Sequence, residues 1–380
     1  MHRNLIIAAS LLLTSASLPA QSAQPLGADV AAGRPLPLHI GGRVVRTEDP
    51  VGYRRQWPGT YIEGAFQGQA VDLGVGPGAV SLRIRVDDGA PIPLVRPAPG
   101  LYRIAAKGAG RHRIRVDVAS ESQDGATELR GLFAPTGTTP LPAPRPRARQ
   151  IEFIGDSHTV GYGNTATSRQ CSRDVIWRTT DTTLGPAGVM AARYGADYRV
   201  NAISGRGVVR NYGGFAAPTL PQAYPFALFD GHSPAAPQDW HPQLVVMALG
   251  TNDFSTALKA GEPWPNRDAL HADYERTYRD FIGTLRRRYP QAFLILWATD
   301  MADGEIAREV DTVVTQLQAQ GEHRIAFVPV NGLGFKGCDA HPDTTDDRRI
   351  AAAIGRVIDA RPDIWKRTKA IRKRPVSPAP

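Results

Sequence analysis

Five prolines crowd the sixteen residues PTGTTPLPAPRPRARQ (135–150), and the chain changes rhythm across them. Proline fixes its own φ and donates no backbone hydrogen bond, so such a run forms an extended connector rather than an element. Before it, from Asp29 to Phe133, short alternating runs are broken by Gly, Pro or Asp-Gly turns: GRVVRT, TYIEGAFQG, QAVDLGV, VSLRIRVDDG, GLYRIAAKG, HRIRVDVAS and TELRGLFA. In VSLRIRVDDG, Val80, Leu82, Ile84 and Val86 share one face, while Ser81, Arg83 and Arg85 share the other. Period two without a helical period predicts about seven or eight strands in a β-sandwich over 24–134.

After the connector, strands alternate with helices. Strands are predicted at Ile151–Ile154, Tyr198–Ile203, Leu244–Leu249, Phe293–Ala298 and Ile325–Val330. Helical faces are carried by Leu270, Tyr274, Tyr278, Phe281, Ile282 and Leu285, by Ile306, Val310, Val313 and Leu317, and by Ile350, Ile354, Val357 and Ile358. This pattern calls for a parallel sheet covered on both faces by helices, an α/β domain over 151–366.

The ends of the chain say where it works. Residues 1–23, MHRNLIIAASLLLTSASLPAQSA, pair a basic start with an apolar stretch too short to span a bilayer, which reads as a secretory signal cleaved near Ala20 or Ala23. A soluble bacterial protein of the periplasm or medium follows, with no membrane span and an oxidising workplace. The net charge of +9 does not argue for nucleic acid, because the last twenty residues hold seven basic side chains against one acidic and so carry six of the nine. The segment 367–380 reads as a basic disordered tail, and no nucleic-acid partner is expected.

In sheets of this kind ligands sit beyond the carboxyl ends of the strands, where strand order reverses. Four of the five predicted strands are followed there by complementary residues. IEFIGDSHTVGYGN places Ser157 after the first strand, SGRGVVRNYGG places Gly205 after the second, GTNDFS places Asn252 after the third, and NGLGFKGCDAHPD places Asp339 and His341 after the last. A serine attacking an ester needs a base, for which His341 is the candidate, and the imidazole needs an orienting acceptor, for which Asp339 is the candidate. The oxyanion needs convergent donors, which the Gly205 N–H, the Asn252 amide and the N–H of Ser157 supply. Asp253 is read as an N-cap of the following helix, and His158 as an exposed loop histidine. No cluster has metal-ligand spacing and no phosphate loop appears, so no cofactor or metal is expected.

The blocks GDSHT, SGRG, GTND and DAHP resemble those of the SGNH (GDSL-like) hydrolases. The order of sandwich, proline connector and these motifs is similar to that of carbohydrate esterase family 2. That resemblance implies an N-terminal jelly roll, a three-layer α/β/α hydrolase domain, Ser157 as nucleophile, His341 as base, and Gly205 and Asn252 as oxyanion donors. It further implies removal of acetyl groups from xylan-like or glucomannan-like polysaccharide; a monomer is expected. Tyr212 and Trp297 stand at family substrate positions, where aromatic faces would pack on sugar, although Trp297 fits equally well as a core residue capping the sheet. The Asp lies two residues before the His, as in that family, some of whose members orient the ring with a backbone carbonyl instead. An esterase or acetyltransferase on another acetylated ester is the second reading, and a carbohydrate-binding protein without catalysis the third.

Cys171 and Cys338 are the only cysteines. Their loops must converge if Ser157 and His341 are to touch, so in an exported chain they are expected to form a disulfide.

Overall fold

The computed structural model describes residues 22–235 and 240–366, so most of the expected signal segment and the whole of the basic tail lie outside the described residues. Among the described residues no helix is long and apolar enough to cross a membrane. The N-terminal part consists of two antiparallel sheets, of seven and six strands, packed face to face. Val71, Leu73 and Val75 from one sheet and Ile62, Phe66, Leu82, Ile84 and Ile114 from the other share one core. Period two explains this: along Ser81–Val86 the residues Leu82, Ile84 and Val86 are buried while Arg85 is exposed.

There are more strands here than the alternation suggests. Ala23–Pro25, Arg34–Pro35, His39–Gly41 and Thr139–Pro140 are two or three residues long, too short to show a period. The connector is therefore not free of structure. Thr139 pairs with Gln67 and Pro140 with Phe66, and Arg149 already opens the first parallel strand.

The second part is a five-stranded parallel sheet between two helical layers. Its strands, in chain order, are Arg149–Gly155, Ala196–Ala202, Leu244–Ala248, Phe293–Thr299 and Ile325–Val330. In space the second lies outside the first, and the third, fourth and fifth follow on the other side. Order thus reverses at the first strand, which opens a crevice beyond the carboxyl ends of the first three. One layer buries Leu270, Tyr274, Tyr278 and Leu285 of Arg267–Arg288 and Ile306, Val310 and Val313 of Glu305–Ala319. The other buries Ala187 and Met190 of Pro186–Tyr194 and Ile350, Ile354 and Ile358 of Thr344–Asp359.

The sandwich is not a loose appendage. Trp57 is 0% exposed and belongs to the same core cluster as Val245, Met247 and Leu294, while its indole N–H donates to the Phe226 carbonyl at 3.1 Å. Tyr61 donates to Asp197 at 2.7 Å from the other side of the junction. On the first parallel strand, buried Glu152 accepts from Asn201 at 2.6 Å, Tyr224 at 2.7 Å and the Trp240 indole at 3.0 Å, and pairs with Arg43 at 3.4 Å. A buried carboxylate is tolerable only when its oxygens are satisfied in this way.

Candidate active site

Strand Arg149–Gly155 ends at a residue that must be glycine, since a Cβ on Gly155 would lie 2.1 Å from Thr159 Oγ1 and 3.0 Å from the Ala248 carbonyl oxygen. Asp156 then caps a one-turn helix, Ser157–Val160, by accepting the His158 N–H at 3.0 Å. Ser157 thereby opens that helix at the mouth of the crevice. Its Oγ is 2.8 Å from His341 Nε2.

The other ring nitrogen decides what His341 can do. Nδ1 lies 2.9 Å from the carbonyl oxygen of Cys338. A carbonyl only accepts, so Nδ1 carries the proton of the neutral ring and Nε2 is left as the acceptor for the Ser157 hydroxyl. Burial lowers the His341 pKa, against the opposing pull of the Cys338 carbonyl and the nearby Asp339 charge, so the ring is held as a free base.

The oxyanion candidates come to the same end of the sheet. The Ile203 N–H donates to the Gly155 carbonyl at 3.2 Å, drawing the loop after the second strand beside Ser157. Gly205 sits there at φ +81°, and its carbonyl accepts from Tyr212 N–H at 2.9 Å. The side-chain nitrogen of Asn252 donates to the Arg206 carbonyl at 2.9 Å and to Asp156 Oδ2 at 3.2 Å, one residue from Gly205 and one from Ser157. Burial raises the Asp156 pKa to about 7 despite the His158 N–H. Cys171 and Cys338 are joined, with Cα atoms 5.5 Å apart, as the converging loops require. Among the described residues no group of three or more His, Cys, Asp or Glu is placed to hold a metal.

Comparison with known proteins fits this geometry. Residues 40–144 match the carbohydrate esterase 2 N-terminal family and residues 153–359 the GDSL-like lipase/acylhydrolase family. A Cellvibrio japonicus acetylxylan esterase/glucomannan deacetylase is 38% identical over 368 residues, covering 96% of this chain and 99% of that one. The chain belongs to carbohydrate esterase family 2. A solved carbohydrate esterase with divergent catalytic and non-catalytic binding functions at its active site superposes with a TM-score of 0.83 at 39% identity, covering 88% of this chain and all of the other. A family 2 esterase from Clostridium thermocellum, solved with cellohexaose, gives 0.77 at 26% identity, covering 87% of this chain and all of the other. The chain is accordingly a carboxylic-ester hydrolase.

In this family 2 esterase several residues stand elsewhere than sequence reasoning put them. Asp339 does not meet the imidazole: its Oδ2 accepts from the Tyr162 hydroxyl at 3.0 Å. The cause is the turn Cys338–Ala340, where Asp339 (φ +51°) and Ala340 (φ +57°) are both left-handed, so the Cys338 carbonyl meets the ring instead. Tyr162 lies tilted against His341 with ring centroids 4.5 Å apart, so Asp339 reaches the base through that tyrosine and through its charge rather than by a side-chain hydrogen bond to the ring. Trp297, expected against sugar, is 3% exposed and packs in the core with Phe293, Ile295 and Ile354. Its parity with Phe293 and Ile295 along one strand was the signal for this. Tyr212 is 56% exposed, and Phe215, 43% exposed, would lie 3.2 Å from a Cβ on Gly205, so the aromatic surface sits on the oxyanion loop.

Two further positions depart from expectation. His158 is not an exposed loop residue but 4% exposed, edge-on to His341 at 5.6 Å. Burial and the neighbouring His341 lower its pKa to about 3, so it stays neutral beside the base. Asp253 does not cap its own helix, Thr251–Phe254, whose N-cap is Gly250. It reaches across to accept the N–H groups of Val208, Val209 and Arg210 at 2.9–3.1 Å, fixing the loop that carries Gly205. Nothing local in GTNDFS signals this contact, which joins loops after different strands.

Two outcomes follow from the ring's surroundings. Asp339→Asn should change kcat on 4-nitrophenyl acetate by less than about tenfold, whereas an aspartate that holds the tautomer costs on the order of 10⁴. The base must be unprotonated and its pKa is lowered, so the acidic limb of kcat/KM should have its midpoint below the ordinary imidazole value of 6.5. A limb at or above that value would contradict the burial of the ring.

Proposed function

We propose that the protein is an exported O-acetyl esterase acting on plant cell-wall polysaccharide of the xylan or glucomannan type through an acyl-enzyme on Ser157. The observation that carries this reading is the 2.8 Å contact between Ser157 Oγ and an imidazole whose other nitrogen is committed to the Cys338 carbonyl. The substrate class is supported by the names of the relatives, an acetylxylan esterase/glucomannan deacetylase and an esterase that holds cellohexaose. Export is supported by the N-terminal sequence and by a disulfide, which persists in oxidising compartments.

Ser157 Oγ attacks the acetyl carbonyl carbon while its proton passes to His341 Nε2. The Gly205 and Ser157 N–H groups and the Asn252 amide donate to the negative oxygen, and Asn252 turns toward it the hydrogen held in its longer bond to Asp156. The tetrahedral adduct collapses, the sugar oxygen leaves with the proton from His341, and acetyl remains on Ser157. Water then gives its proton to His341 and attacks the ester. The second adduct releases acetate and returns the proton to Ser157.

Wild-type protein should release acetate from acetylated xylan and glucomannan, followed by NMR, and Ser157→Ala should lose at least about 10⁴-fold in turnover. Equal acetate release by wild type and Ser157→Ala would remove the serine from the chemistry.

A further inference from the structure

An acetyl group offers little surface to bind, so specificity for a polymer must come from contacts to the sugars around it. A candidate for those contacts lies at the junction of sandwich and hydrolase. The loop after strand Arg111–Val118 leaves the sandwich and grips the oxyanion loop: Glu121 Oε2 accepts the Ser204 N–H at 2.9 Å, and Gln123 donates to the Ser204 carbonyl at 3.1 Å. Ser204 directly precedes Gly205. Facing this loop is the helix Arg173–Thr179, tied down beside the base by the Cys171–Cys338 disulfide and to the sandwich by Ser81 Oγ, which donates to the Trp177 carbonyl at 3.1 Å.

Between loop and helix is a cavity of about 330 Å³, lined by both domains, among them Glu121, Gln123, Asp124, Tyr162, Arg173 and Trp177. That volume falls in the ordinary range of ligand pockets. Its lining includes Tyr162, whose ring lies against that of His341, and Glu121, bonded to the residue before Gly205. The cavity therefore touches both halves of the catalytic apparatus without containing Ser157.

We propose that this cavity is a subsite for an unacetylated, uncharged sugar ring of the polymer, flanking the acetylated one; the proposal rests on the polysaccharide-esterase reading above. Trp177 and Ile176 supply the apolar face that a pyranose ring packs on, and Glu121, Gln123 and Asp124 supply acceptors and a donor for its hydroxyls. The lining holds two carboxylates against one guanidinium, and that guanidinium, Arg173, is already paired with Asp124 at 2.7 Å. Glu121 is in turn offset by the charges of Arg55 and Arg206, so the lining leaves no cation free to hold a uronate, and the ring recognised is neutral. The sandwich then acts as one wall of the binding cleft, not as a separate sugar-binding module.

The test compares acetylated xylo-oligosaccharides of increasing length with 4-nitrophenyl acetate, for wild type, Trp177→Ala and Trp177→Phe, each checked by thermal melting. Wild-type kcat/KM should rise with chain length. Trp177→Ala should lose about tenfold on the longer oligosaccharides, mostly in KM, and less than about twofold on 4-nitrophenyl acetate. Trp177→Phe, which keeps a flat apolar face, should retain most of the gain with length. Equal losses on both substrates, or an unchanged length dependence in Trp177→Ala, would overturn the subsite while leaving the esterase reading intact. A wild-type protein that cleaves 4-nitrophenyl acetate but releases no acetate from any acetylated oligosaccharide would overturn both.

Discussion

Everything at this active site depends on where the carbonyl of Cys338 points. That oxygen accepts both the His341 backbone N–H, at 3.0 Å, and the ring Nδ1–H, at 2.9 Å, and so sets the tautomer on which proton transfer relies. The constraint is enforced three times over. The side chain of Cys338 is bonded to Cys171, and its N–H donates to the Gly163 carbonyl at 3.2 Å. The next two residues are left-handed. Gly163 explains the second glycine of GYGN: it sits at φ +56°, and a Cβ there would lie 2.3 Å from the Cβ of Cys338. The nucleophile loop and the base loop are thus locked before any substrate arrives, which is the preorganisation that catalysis by hydrogen-bonded groups requires.

The same logic extends outward to the sandwich. Trp57 fills the hydrolase core, and Glu121 holds the oxyanion loop by the N–H of Ser204. Behind that loop, Asp253 gathers three successive N–H groups, and buried Arg210 pairs with Glu262 at 2.5 Å. Burial raises the Asp253 pKa to about 6, opposed by those N–H donors, a cost borne because the loop would otherwise carry unmatched donors. The sandwich and the hydrolase therefore form one packed body whose shared seam runs up to the site.

Much of this was legible in the sequence, and the limits are physical. The five parallel strands and the inward faces of Arg267–Arg288, Glu305–Ala319 and Thr344–Asp359 follow from periodicity, because each buries a continuous stripe. The pairing of Ser157 with His341 follows from strand-end placement, and that of Cys171 with Cys338 from the convergence of their loops that this pairing requires in an exported chain. Asp339 shows where spacing stops informing: two residues before a histidine fixes a distance along the chain, while the left-handed turn decides which acceptor reaches the ring. His158 and Asp253 are decided by contacts across loops that no local window contains. The two-residue strands Arg34–Pro35 and Thr139–Pro140 are formed by their partners in the sheet rather than by any preference of their own.

The role of the Cys338 carbonyl is tested most directly by the protonation state of the two nitrogens of His341, read by long-range ¹H–¹⁵N NMR of histidine-labelled protein at neutral pH. The ring should be neutral with the proton on Nδ1, hydrogen-bonded to a backbone carbonyl, and a bare Nε2, and the same pattern should persist in Asp339→Asn. A proton on Nε2, or loss of the Nδ1 proton signal when Asp339 is neutralised, would contradict that role.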